Sequence, residues 1–236
     1  MKLSKLYVIA LLAGTLGVVG CSDDPPPPTG TGGTGGTAGT GGTAGAGGTG
    51  GTDGVVQVFV TSGAFAGDLG GLDGADTICT NAALAGDPPL SGTWTAWLSD
   101  SSADAIDRIA DGEYQLLDGT GVANDKADLT DGSLDAAINL DEKGGTVTDT
   151  SSPAPVVWTG TDEKGTNNAY QSCAACTSAS ADERGWIGSP LNNDAEWTDL
   201  VCFPRCDLFN RLYCFAVLAV EDFRISQDSS DRAPTD

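Results

Sequence analysis

The chain contains no histidine, a single methionine, and only 11 Lys and Arg against 33 Asp and Glu, for a formal net charge of −22. Without histidine there is no Ser-His-Asp triad, no Cys-His pair and no imidazole metal site. The shortage of cations argues against nucleic acid as a partner, since its phosphates draw on basic patches, and against adhesion to anionic lipid. Such acidity favours solubility or cation binding. The N-terminal apolar run, Leu6 to Val19, is shorter than the about 20 residues that span a bilayer.

What is present begins with that run. Lys2 and Lys5 precede it, which makes residues 1–20 a signal peptide. Val18-Val19-Gly20-Cys21 resembles a bacterial lipobox, whose cysteine is diacylated and becomes the mature N-terminus. Acyl chains anchor firmly, at roughly 0.8 kcal/mol per buried methylene. Ser22 stands where an aspartate would signal inner-membrane retention, so Cys21 predicts an outer-membrane lipoprotein, facing the cell surface or the periplasm.

Residues 21–54 read as a tether. Pro25 to Pro28 favour a stiff polyproline II segment, and glycine then recurs at every third position from Gly30 to Gly51. That is the collagen register, but the triplets hold no proline, so a flexible, Thr-rich coil is expected, with an r.m.s. reach of roughly 30 Å.

Residues 55–220 are long enough for one domain with a real core, and residues 221–236 read as a flexible acidic tail. Val56 to Val60 alternates as a strand. Asp73 to Ala85 has Ala75, Ile78, Cys79 and Ala82 at helical spacing. Thr95 to Ser99 reads as a core strand, and Ser102 as the N-cap of a second short helix carrying Ile106 and Ile109. Further strands are expected at Tyr114–Leu117, Val156–Trp158, Gly185–Gly188 and Arg211–Phe215. The fold class is α+β with short strands, two helices and a long loop region.

Six cysteines lie in this domain: Cys79, Cys173, Cys176, Cys202, Cys206 and Cys214. The Cys173-x-x-Cys176 and Cys202 to Cys206 spacings would suit the halves of a four-thiolate zinc site. Export favours oxidation to disulfides instead, and six cysteines alone allow fifteen pairings.

Gly74-Ala75-Asp76 leading to Cys79, Trp94-Thr95-Ala96-Trp97-Leu98-Ser99, Val157-Trp158-Thr159-Gly160-Thr161 and Arg211-Leu212-Tyr213-Cys214-Phe215 occur in that order. Together they resemble the endostatin-like branch of the C-type lectin-like fold, nearest to bacterial lipoprotein domains of largely unknown function. Ala127 to Gly132 and Gly185 to Ser189 fit the same domains. The resemblance implies a disulfide-stapled domain with Cys79 bonded to Cys214 and Cys176 to Cys206, leaving Cys173 with Cys202. The histidine-based zinc site associated with endostatin has no counterpart in a chain without histidine.

Two residue sets are candidates for binding. Asp125, Asp128, Asp131, Asp135, Asp141 and Glu142 cluster within eighteen residues and offer hard oxygen ligands for calcium, although their spacing matches no EF-hand. Trp186, Asn192, Asn193, Asp194 and Trp197 combine aromatic rings with amides and a carboxylate, a composition that suits a sugar ring; ligand surfaces in the resembled fold lie on this long loop. Paired carboxylates for glycoside hydrolysis have no spacing signal here, so a non-catalytic module is expected, binding an extracellular glycan or protein and possessing an adhesive character. A structural envelope component that self-associates is the alternative, ahead of a polysaccharide-acting enzyme.

Overall fold

The computed structural model describes residues 54–151, 155–168 and 172–217. The expected signal peptide (1–20), the acylated Cys21, the tether to residue 53 and the tail at 221–236 lie outside the described residues. No helix among the described residues is long and apolar enough to cross a membrane.

The domain is built on a five-stranded sheet in the order β2-β7-β1-β3-β4. These strands are β1 (Val55–Val60), β2 (Thr93–Ala96), β3 (Glu113–Leu116), β4 (Gly121–Ala123) and β7 (Tyr213–Val217). β1 pairs parallel with β3 and antiparallel with β7. A second pair, β5 (Val157–Trp158) with β6 (Ile187–Gly188), belongs to the long loop region.

The period-two alternation of a strand explains why both sheet faces are covered. Val56, Val58 and Val60 join Tyr213 and Phe215 in one core cluster, while Phe59 joins Cys214 in another. The second cluster is roofed by α1 (Gly71–Leu84), whose Ala75, Cys79 and Ala83 are buried. Gly70 and Gly71 both adopt positive φ, 83° and 75°, a region glycine enters at little cost. The chain therefore turns sharply into α1. Two single-turn helices, α2 (Ala105–Arg108) and α3 (Lys126–Leu129), bury Ala105 and Leu129 in the first cluster, with Val56 and Phe215.

Several boundaries move from their sequence expectation. β2 ends at Ala96 rather than Ser99, and the last strand runs 213–217 rather than 211–215. Asp104, not Ser102, precedes α2. Ser102 is instead held by Asp100, whose Oδ1 accepts from both its amide (2.7 Å) and its hydroxyl (2.6 Å).

Cys79 and Cys214 form a disulfide with Cα atoms 5.5 Å apart, tying α1 to β7. The second bridge corrects the expected pairing: Cys206 bonds Cys173, so neither Cys176–Cys206 nor Cys173–Cys202 forms. Local backbone pairing explains the choice. The Cys173 amide donates to Arg184 O and the Cys206 amide to Glu183 O, so one intervening strand aligns the two. Cys176 is a buried thiol, pushed up to about 12 chiefly by burial, with Asp100 adding and Arg108 opposing. Cys202 is buried and disulfide-bonded.

The register also fixes the ends of the domain. Val58 faces Phe215 and Val60 faces Tyr213 in antiparallel pairing, so the chain enters at Val55 and leaves at Val217 from one end of the sheet. The Phe65–Asn210 bridge lies at the opposite end.

Candidate functional site

The motif residues behind the family resemblance do structural work. Asp76 Oδ1 on α1 accepts from the Ala96 amide (2.8 Å) and from Arg108 Nη2 (2.7 Å). Arg108 Nη1 donates to Ala96 O and Leu98 O at 2.8 and 2.9 Å, so one arginine stitches α1, β2 and α2 together. Trp94 packs on Phe59 at 4.8 Å between ring centroids, and Trp97 packs on Trp197 at 5.0 Å. Thr159 donates to Thr198 O at 2.7 Å, and Gly160, at φ 60°, passes so near Ser99 that a Cβ would sit 2.4 Å from its carbonyl oxygen.

The long-loop candidates are brought into one region but are not arranged as an aromatic platform. Trp197 is fully buried, its ring packed against Trp97 and Tyr213, and the Tyr213 hydroxyl donates to its carbonyl at 3.0 Å. It shows no ring face to solvent, which corrects the expectation from its polar neighbours. Trp186 is only 9% exposed; its ring meets Phe203 at 4.4 Å and its indole donates to Asp199 Oδ1 at 2.8 Å. Asp194 caps the single 3-10 turn 195–197, accepting from the Glu196 amide at 3.1 Å. Asn192 donates to Glu196 Oε2 at 2.8 Å, and Asn193 donates to Leu134 O at 3.2 Å. Asn193 and Asp194 remain exposed at the surface of this loop.

Asp199 is half-buried beneath Trp186. Burial raises its pKa above the ordinary 3.8, with Asp162 and Glu163 adding to the rise and the Trp186 and Val201 hydrogen bonds opposing it. A raised folded pKa means the native state holds the proton more tightly than the unfolded chain. That contribution is complete below the ordinary value and is lost as pH rises through the folded pKa. Asp199→Asn mimics the protonated form, so its melting temperature should fall less than the parent's as pH rises from 3.8 toward neutrality. Parallel melting curves for the two proteins across that range would refute this.

The acidic set does not fit a calcium ion. Asp125 caps α3 through the Asp128 amide, and Asp128 Oδ2 accepts from the Asn124 amide and side chain. Asp131 accepts from Ser133, and Asp141 Oδ1 accepts from the Lys143 and Gly145 amides at 2.9 and 2.7 Å. Asp135 is exposed. Glu142 is buried and accepts from the Ser62 amide at 2.7 Å and from the Ser62 hydroxyl, with Lys143 Nζ 3.7 Å away. Among the described residues no three Asp, Glu or Cys side chains converge as a cation site. Asp125, Asp128, Asp131 and Asp141 are each tied to a nearby turn, and Glu142 is tied to Ser62.

One concave surface had no signal in the sequence. Phe65, Leu69, Ile78 and Phe209 wall an open groove of about 440 Å³, with Asp68 and Asp207 at its edge. Phe209 is 64% exposed and Leu208 37%. The walls are pinned by backbone bonds in both directions between Phe65 and Asn210, and by the Gly67 amide donating to Cys206 O, beside the Cys173–Cys206 bridge. Adjacent apolar residues at 208–209 between two polar stretches are the only hint a reader of the sequence has.

No protein-family model matches the chain, and no curated protein does.

Proposed function

We propose that this protein is a lipoprotein of the outer membrane whose C-type lectin-like domain binds an extracellular glycan or protein without catalysis. The observation that carries this reading is the position of the groove. The tether joins at Val55, and the Phe65–Asn210 bridge beside the groove lies at the far end of β1 and β7. A six-residue strand spans about 20 Å. With a lipid anchor at Cys21 the domain is attached through its Val55 end, and the groove lies at the end of the sheet remote from that attachment, open to a ligand from outside. The preformed walls lower the ordering cost of binding.

The test is a glycan array and an extracellular protein array probed with the intact mature chain, once with calcium and once with EDTA. The acidic residues are bound into separate turns, so binding should be equal in the two arms. Binding abolished by EDTA would return the acidic cluster to the site. Silence on both arrays would remove the binding reading.

A further inference from the structure

We propose that the Phe65–Phe209 groove is a docking site for a polypeptide segment that carries an apolar side chain flanked by Lys or Arg; the proposal deepens the binding reading above and rests on it. The choice of ligand follows from the walls. Phe65, Leu69, Ile78 and Phe209 offer hydrocarbon, and among the described residues the only side-chain polar groups lining the groove are the carboxylates of Asp68 and Asp207. A sugar brings many hydroxyls, and most would lose water without gaining a partner there. An aliphatic or aromatic side chain has no such loss, and an exposed apolar concavity of this kind marks a protein-binding surface.

Charge narrows the class further. The groove is lined by no Lys or Arg, and the chain carries a net −22. Arg205 pairs with Asp207 through two contacts of 3.1 Å, which leaves the exposed Asp68 as the carboxylate open to a ligand cation. The half-open ring of Phe209 adds a face on which a guanidinium or ammonium can rest. A second copy of this chain would bring another −22 and is repelled.

A random nonapeptide phage library panned against the intact mature chain in neutral-lipid nanodiscs reads this directly. Enriched peptides should place Leu, Ile, Phe or Trp next to Lys or Arg. An enriched peptide, measured by fluorescence polarisation, should bind at least about tenfold more weakly to Phe209→Ser, as expected of an anchor residue. It should also weaken on Asp68→Lys but not on Asp149→Lys, an equal charge change at another exposed aspartate. Phe209 and Asp68 are exposed, so both variants should keep the parent melting temperature. No enrichment, enrichment without cations, or equal binding by Phe209→Ser overturns the proposal. A glycan-array ligand retained by Phe209→Ser would overturn the groove assignment while leaving the binding module intact.

Discussion

Replacing Cys79 and Cys214 together by alanine is expected to lower the unfolding free energy by about 5 kcal/mol in the chain-entropy account of cross-links. The bond closes a loop with a sequence separation of 135, which spans most of the domain. Both residues are fully buried and belong to the cluster beneath α1 with Phe59, Trp94 and Leu212. Losing the bond thus frees the unfolded chain and loosens the contact between α1 and β7 together. The Cys173–Cys206 pair should cost less when removed. Its separation is only 33, worth about 4 kcal/mol by the same account. Residues 173–176 also sit at φ between 50° and 61°, a left-handed turn that costs about 1–2 kcal/mol per non-glycine residue. Releasing the bridge lets that turn relax. Urea unfolding of the parent and the two double variants gives the comparison. A loss below 1 kcal/mol for Cys79/Cys214, or a reversed ranking, would show that the unfolded chain is already held compact by other contacts.

The long local patterns were legible in the sequence. β1 is apolar at Val56, Val58 and Val60, and α1 carries Ala75 and Cys79 at helical spacing, so both elements emerge within two residues of their expected starts. β4 and α3 were not legible, because three or four residues complete no period. The second disulfide was misjudged because its partners are chosen by the strand at 183–185, a pairing between segments that no spacing encodes. The groove was hidden for a related reason. Phe65, Ile78 and Phe209 come from three separate segments and meet only through the Phe65–Asn210 bridge and the packing of α1. The acidic run was legible as composition but not as geometry: Asp125, Asp131 and Asp141 each accept from a backbone amide two or three residues further on rather than converging on one point.

Trp197 shows most sharply how burial separates a binding residue from a core residue. Trp197→Ala should cost about 4 kcal/mol, the usual range for emptying a buried aromatic site being about 3–5 kcal/mol. Its ring contacts Trp97 at 5.0 Å and Tyr213 at 5.6 Å, so truncation opens a cavity where the loop packs on the sheet. The indole nitrogen of Trp197 is buried without a hydrogen-bond partner among the described residues. An unsatisfied buried donor costs about 1–3 kcal/mol, and Trp197→Phe removes that donor along with part of the ring. The two effects oppose, so the phenylalanine variant should stay within about 2 kcal/mol of the parent. A ligand platform makes the opposite demand: alanine would abolish binding at unchanged melting temperature, and phenylalanine would keep part of the stacking. Thermal melts of the parent, Trp197→Ala and Trp197→Phe therefore distinguish the roles without any ligand in hand. An alanine variant that melts with the parent would move Trp197 out of the core and back into a binding surface.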